Sequence, residues 1–146
     1  MVMIIKQINR TDLPIVYNFQ KQYTNEQNSY LYWLKKYNKR PELFIGCYQG
    51  EKIIGICVGR TRGHRIILTS IAVDKHHQRK GIGKTLMNHF EKQARMIGKK
   101  AVGVAAYYNV IEFYKKLGYK DAKRVHPPKS CIVLEKAIKK AAPPGA

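Results

Sequence analysis

The sequence predicts an α/β fold. Its core is a mixed, mostly antiparallel sheet of about seven strands with about four helices, in the order β-α-α-β-β-β-α-β-α-β-β. Three observations carry this. Short apolar runs, bounded by glycine and polar turns, recur along the 146 residues. Two of those turns are tight enough for hairpins, which sets neighbouring strands antiparallel. One long amphipathic segment, residues 81–98, separates two strands and demands a crossover.

Residues 2–8 alternate loosely and read as the first strand. Thr11, Asp12, Leu13 and Pro14 form a helix-start signal, with Thr11 as N-cap and Pro14 in the first turn. That helix runs to about Tyr23. Thr24, Asn25 and Glu26 punctuate it, and a second helical stretch reaches about Tyr37. Its Tyr30, Trp33, Leu34 and Tyr37 stand at i, i+3, i+4 and i+7, one helical face and therefore core material. Residues 43–48 and 52–59 are strands around Gln49-Gly50-Glu51, and Thr61-Arg62-Gly63-His64 is the next turn. Arg65–Val73 (RIILTSIAV) is the most apolar strand, which places it centrally.

Residues 74–80 form a polar loop, within which His76 and His77 read as solvated. From Gly81 a helix begins. Ile82, Leu86, Met87, Phe90, Ala94 and Ile97 share one face, and Gly98 closes it. Residues 100–105 are a short strand. Residues 110–117 are a short helix stopped by Gly118. Residues 119–124 and 130–134 are the last strands, joined through Val125-His126-Pro127-Pro128, and residues 141–146 fray. No repeat or linker divides the chain, so residues 1–146 read as one domain.

Composition narrows the classes. Hydrophobic residues make up 45%, enough for a core and too many for a disordered chain. The longest mostly apolar run, residues 66–73, is far below the ~20 residues of a membrane span. Residues 1–10 lack the basic head and long apolar stretch of a signal peptide, so a cytoplasmic protein is expected. Cys47, Cys57 and Cys131 are scattered, without a CxxC or a zinc-ligand spacing to His, so free thiols and no metal are expected. Charge is the unusual quantity: 28 Lys and Arg against 9 Asp and Glu give +19. Such a surface attracts polyanions and phosphate-bearing ligands. The charge is spread rather than gathered in a basic tail.

One segment stands out: Ile71-Ala72-Val73-Asp74-Lys75-His76-His77-Gln78-Arg79-Lys80-Gly81-Ile82-Gly83-Lys84-Thr85. It is a strand, a polar loop, glycines and a helix start. A helix N-terminus carries unpaired N–H groups and a positive dipole end, and glycines allow a close approach to a phosphate. Arg79, Lys80 and Lys84 add charge. A Walker A loop would need glycine where Gln78 stands, and the metal-holding Asp on a later apolar strand is lacking. A dinucleotide fingerprint would need glycine at Leu86 and a tight turn where seven polar residues stand.

Gln78-Arg79-Lys80-Gly81-Ile82-Gly83 instead resembles (Q/R)xxGx(G/A), the pyrophosphate loop of the Gcn5-related N-acetyltransferase (GNAT) superfamily. A second block, Asn109-Val110-Ile111-Glu112-Phe113-Tyr114-Lys115-Lys116-Leu117-Gly118-Tyr119, resembles that family's later motif. The interval between the blocks has room for one helix and one strand, as in the family. The likeness spans residue 2 to about residue 137.

The resemblance implies a fold, an activity and a site. Ile71, Ala72 and Val73 would pair through their backbone with the pantetheine arm of acetyl-CoA. Gln78, Arg79, Lys80, Gly81, Ile82, Gly83, Lys84 and Thr85 would hold its pyrophosphate. The strand after the long helix would splay from Arg65–Val73 and leave a slot for the arm. Tyr114 takes the position of the family's tyrosine near the CoA sulfur, as the acid that protonates the departing thiolate. The backbone N–H groups near residues 71–73 would receive the oxyanion. Three departures mark this sequence. Asn109 stands five residues before the tyrosine instead of seven, where Tyr107 lies. Lys75 replaces a common proline. No acid occurs within Arg65–Val73 to act as base.

The expected reaction is direct acetyl transfer from acetyl-CoA to a primary amine of a small molecule or a protein, in a ternary complex. The charge disfavours a cationic acceptor. His126 is a candidate base. Trp33, Tyr30 and Tyr37 lie on helices that border the acceptor side in this fold, and Tyr107 or Tyr108 is a candidate pocket residue. A second reading is a nucleic-acid-associated protein on the same scaffold, a binder or an acetyltransferase of RNA- or chromatin-bound targets. It would use the aromatic and basic residues 30–37 for stacking and phosphate contacts. On charge alone, nucleic-acid binding would be non-specific. The oligomeric state is open, a dimer included.

Overall fold

In the computed structural model, which describes residues 2–24, 27–123 and 131–138, the chain forms eleven principal elements. They are β1 (Met3–Gln7), α1 (Leu13–Lys21), α2 (Tyr30–Lys39), β2 (Phe44–Gln49), β3 (Lys52–Arg62), β4 (Arg65–Val73), α3 (Ile82–Met96), β5 (Ala101–Tyr107), α4 (Ile111–Lys116), β6 (Lys120–Asp121) and β7 (Cys131–Ala137). The seven strands make one sheet in the order β1-β2-β3-β4-β5-β7-β6, with the apolar β4 in its middle. Every pairing is antiparallel except β4 with β5, which α3 connects as a crossover.

Two cores lie on the two faces of the sheet. One gathers α3 and α4 against it through Leu86, Met87, Phe90, Ala94, Ile111 and Tyr114. Burying side chains such as Leu86 and Phe90 contributes roughly 1.5–3 kcal/mol each. α3 sits directly on the strand backbone, because a β-carbon on Gly59 would fall 2.3 Å from Phe90 Cζ. The other core packs Leu13 and Val16 of α1 and Trp33 and Tyr37 of α2 over β2 and β3. Trp33 and Tyr37 stack edge-on against Phe44, and the Tyr37 hydroxyl donates to the Ile8 carbonyl at 2.8 Å.

A carboxylate is buried in the first core. Glu91 of α3 is 2% exposed and accepts from the Tyr119 hydroxyl and from Lys136 Nζ of β7, both at 2.9 Å. Arg95 stands one helical turn on, at 3.8 Å. This network ties α3 to the last strands.

Several sequence expectations need correction. Thr11 is not an N-cap. It lies in a 3-10 turn, Arg10–Asp12, that runs straight into α1. Asp12 takes the cap position with helical backbone angles and no side-chain cap bond, its carboxylate being held by the Tyr48 hydroxyl at 2.9 Å. Thr61 and Arg62 are strand rather than turn, because the β3–β4 ladder continues to the pair Arg62–Arg65. The segment after Tyr119 forms only a two-residue strand, on the outer edge of β7. The punctuating Asn25 and Glu26, residues 125–128 with His126, and residues 141–146 lie outside the described residues.

Candidate functional site

The sheet parts in its middle. β4 and β5 share a ladder only over Arg65, Ile66 and Ile67 with Ala101, Val102 and Gly103. Beyond Ile67 the β4 edge that faces β5 has no strand partner among the described residues. The gap is a cavity of about 440 Å³. Leu68, Thr69, Ser70 and Ile71 line one wall, Val104, Ala105 and Tyr107 the other, and Tyr114, Asn109 and Tyr23 border it.

β4 is bulged where the gap opens. Its partners on β3 step from Val58–Ser70 to Gly59–Leu68, which leaves Thr69 as the extra residue. The Thr69 hydroxyl donates to the Val58 carbonyl at 2.9 Å. Past the bulge the side chains change faces. Ala72 packs toward α1 and α2, while Ile71 and Val73 pack toward α3. Ser70 Oγ is buried with no hydrogen-bond partner among the described residues, an unused polar group in the cavity wall.

Beyond β4 the polar loop delivers the chain to α3. Gln78 Nε2 donates back to the Val73 carbonyl at 3.0 Å, which closes the loop onto the strand end. Arg79 has φ of 65° and Gly81 has φ of 79°, two left-handed residues within three positions. Gly81 is the N-cap of α3, and no side chain caps the helix. The first intrahelical N–H belongs to Thr85, which bonds the Gly81 carbonyl at 3.1 Å. The amides ahead of it stay open for an anion, beside the exposed Arg79, Lys80 and Lys84.

Tyr114 comes from the buried face of α4 and is 4% exposed. Its ring stands edge-on to Phe113 and Tyr119, with centroids 5.1 and 5.8 Å away. Its hydroxyl makes no hydrogen bond among the described residues. Burial pushes its pKa well above that of free tyrosine, with a smaller contribution from Cys57, so the group stays a phenol at neutral pH.

The residues expected at the site therefore divide in two. Ile71, Asn109 and Tyr114 line the cavity. Gln78, Arg79, Lys80, Gly81, Ile82, Gly83, Lys84 and Thr85 form the loop and helix start at the end of the same strand. The side chain of Ala72 faces away from the cavity, and its backbone pairs with Ile56 of β3. Trp33 and Tyr37 are buried in the core. Tyr107 and Tyr108 both escape it, and only Tyr107 reaches the cavity. His76 is exposed, but His77 is not solvated. Its Nδ1 lies 2.8 Å from Asp74 Oδ2, and both side chains are 15% exposed. His126 is outside the described residues.

Some participants escaped the sequence reading. Tyr23, at the end of the first helical segment, donates its hydroxyl to Asp74 Oδ1 at 3.2 Å and accepts from the Lys75 N–H at 3.1 Å. It thereby joins the segment after α1 to the loop before α3. Nothing local pairs residues that far apart in sequence. Thr69 and Ser70 did carry a signal, as adjacent hydroxyls inside the most apolar strand. No carboxylate or histidine lines the cavity among the described residues. No cluster of His, Cys, Asp and Glu among them could hold a metal. No described helix is long and apolar enough to cross a membrane.

The sequence model of the acetyltransferase (GNAT) family matches residues 6–119. No curated protein matches the chain significantly. Among solved structures, Ard1 from Thermoplasma volcanium is similar with a TM-score of 0.82 at 20% identity, over 95% of this chain and 99% of that one. The ribosomal-protein-S18-alanine N-acetyltransferase from Escherichia coli has a TM-score of 0.79 at 21% identity, over 97% of each chain. The PaiA N-acetyltransferase from Thermoplasma acidophilum, in complex with coenzyme A, has a TM-score of 0.77 at 19% identity, over 94% of this chain and 99% of that one. At such identities these likenesses speak to the fold.

Proposed function

The chain belongs to the acetyltransferase (GNAT) family, and on that premise we propose that it moves acetyl from acetyl-CoA to a primary amine by direct attack in a ternary complex. The observation that carries the reading is the parting of β4 from β5 beside the uncapped N-terminus of α3. A thioester on a long arm with a pyrophosphate at its far end needs those two features, one after the other along a single strand.

In this reading the backbone of Ile71, Ala72 and Val73 receives the pantetheine arm as an added strand. The open amides at Ile82, Gly83 and Lys84 take the pyrophosphate, with Gln78 bracing the loop and Arg79, Lys80 and Thr85 around it. Asn109 and Tyr114 border the acyl end. The neighbour from Thermoplasma acidophilum carries coenzyme A on the same fold, which supports this placement.

The chemistry is set by charge. An ammonium must lose its proton before it can attack a thioester. With no carboxylate or histidine lining the cavity among the described residues, the amine enters in this reading as its free base. Backbone N–H groups of β4 stabilise the oxyanion, and Tyr114 supplies a proton to the leaving thiolate and recovers one from the attacking nitrogen, which sheds it as the amide forms. No acyl-enzyme is required. Cys47, Cys57 and Cys131 are all buried, and burial raises the pKa of each, which makes them poor nucleophiles.

The test is release of free CoA thiol from acetyl-CoA across a panel of amines and peptides, with the acetylated product identified by mass. Thiol and product should appear in equal amounts for at least one acceptor class. Absence of release across the panel, together with absence of acetyl-CoA binding, would refute the reading.

A further inference from the structure

Thr69, the bulged residue, borders two concavities. One is the cavity between β4 and β5. The other is a shallow depression on the α2 side, bordered by Tyr32, Lys36 and Arg60. Lys36 and Arg60 then border a third depression, together with Lys39 and Arg40. A track thus leads from the bulge across β3 and along α2, and four cations line it.

Those charges are poorly balanced. Arg40 pairs with Glu42 at 3.1 Å. No carboxylate among the described residues lies within ion-pair distance of Lys36, Lys39 or Arg60. The scarce acids serve elsewhere: Asp12 holds Tyr48, Asp74 holds His77, Glu91 holds Lys136 and Glu135 faces Arg65. The Lys36 ammonium rests 5.3 Å above the Tyr32 ring, which leaves its charge at the rim of the track.

The dimensions select an occupant. Each depression holds only about 10 Å³, so nothing bulky is enclosed. An extended chain lying on the surface fits such relief. From Val58, level with the bulge, to Thr61 is three residues of strand, or roughly 10 Å at ~3.3 Å per residue. An extended peptide covers that distance in about three residues. Nucleic acid fits less well. Of the four aromatics that a stacking surface on α2 would use, Trp33 and Tyr37 are buried in the core at 2% and 7% exposure, which leaves only the half-buried Tyr30 and Tyr32.

We infer that the acceptor is a polypeptide whose N-terminal amine enters the cavity at Thr69 and whose third to fifth residues are acidic, held by Lys36, Lys39 and Arg60. The inference rests on the amine-acetyltransfer reading and gives it a substrate class.

The test uses peptides that share two alanines at the free N-terminus, carry three Glu, three Gln or three Lys next, and bear a fluorophore at the C-terminus. Their anisotropy is followed against the CoA-saturated protein at about 0.15 M salt. The Glu peptide should bind about tenfold more tightly than the Gln peptide, the scale that two or three exposed ion pairs supply. The Lys peptide should bind more weakly still. Lys36→Glu with Arg60→Glu should reverse that order while its titration with CoA stays unchanged, which also reports that the variant is folded. Equal affinity for the Glu and Gln peptides would overturn the inference, as would an unchanged order in the double variant. So would an RNA oligomer that displaces the Glu peptide at this salt. Because binding is read without turnover, a Glu preference with no thiol release would uphold the cationic track and defeat the transferase reading. Equal thiol release from all three peptides would do the opposite.

Discussion

Gly83 lies against Phe113: a β-carbon at Gly83 would stand 3.3 Å from Phe113 Cζ, so the first turn of α3 and the α4 that carries Tyr114 share a contact. Gly81, two residues earlier, has open space around it but a φ of 79°. The two glycines are needed for different reasons, close packing at one and a left-handed backbone at the other.

Substitution separates them. Gly81→Ala should cost about 1–2 kcal/mol of stability through its left-handed backbone. Gly83→Ala should cost less, since Phe113 need yield only a few tenths of an ångström. Glu at either position should abolish CoA binding while circular dichroism stays native, because a carboxylate adds bulk and repulsion at an anion site. Normal CoA titrations in both Glu variants would remove the pyrophosphate role from this loop.

Acetyl-CoA should stabilise the fold. Binding to the native state alone contributes about 2.7 kcal/mol at a hundredfold excess over Kd. For a chain of this length that is a rise in Tm of roughly 5–10 °C. A thermal scan with millimolar acetyl-CoA checks it, and an unmoved transition would count against cofactor binding.

Tyr114→Phe should lower kcat by about 10²–10⁴ and leave the KM for acetyl-CoA nearly unchanged. Single-turnover rates are the proper readout, since product release can mask the chemical step. The pH profile gives a second check. Burial raises the phenol's pKa, so its proton is retained beyond pH ~10. The rate should therefore rise with the free-base fraction of the amine and show no fall below about pH 10. An N-terminal amine would level near pH 8 and a lysine only above pH 10. A wild-type kcat in Tyr114→Phe would make this a packing tyrosine.

Glu91→Ala should destabilise by about 3–5 kcal/mol, the scale for breaking a buried ion pair. It strips Lys136 and the Tyr119 hydroxyl of their partner at once. Lys136 is 27% exposed on its side chain and can regain water, so the lower end applies. Urea midpoints at constant m-value would measure it. A cost below 1 kcal/mol would mean that water replaces the network.

Asp74 titrates below the usual carboxylate range. The hydrogen bond from His77 lowers its pKa most, burial opposes this, and the Tyr23 and His76 bonds lower it further. A depressed carboxylate contributes stability above its unfolded pKa of about 3.9 and loses it as pH falls through the lower folded value. The wild type should therefore exceed Asp74→Asn in urea midpoint at pH 6 and converge on it as the pH falls below the unfolded value and through the folded one. A constant gap across that range would place the effect of Asn in packing rather than in ionisation.

Periodicity and glycine made most of the fold legible. The face of α3 from Ile82 to Ala94 and the central place of β4 both come from apolar spacing. The features hidden from sequence depend on distant partners. Thr11 looks like a cap because local chemistry favours it, but Tyr48 engages the next residue and the chain is already turning there. Arg62 looks like turn because its neighbour is glycine, yet cross-strand pairing with Arg65 carries the strand to its end. At the site, the motifs announce Tyr114 and the loop around Gly81. The bulge at Thr69 exists only in the register between two strands. The bonds that join Tyr23 to Asp74 and Lys75 exist only once α1 has docked.

The core beneath α1 and α2 draws every one of its buried residues from the stretch between Ile8 and Ala72. Strands β1 to β4 are likewise complete by Val73. Synthesis runs from the N-terminus, and a completed unit can close before the later chain is made. The α1–α2 side of the first half-sheet can therefore fill on the ribosome before residue 101 emerges. α3 then covers the other face, where Ile45, Ile54, Ile66 and Leu68 lie, and β5, α4 and β7 complete the fold. The three-residue-pair seam between β4 and β5 is the place where early-made and late-made protein meet.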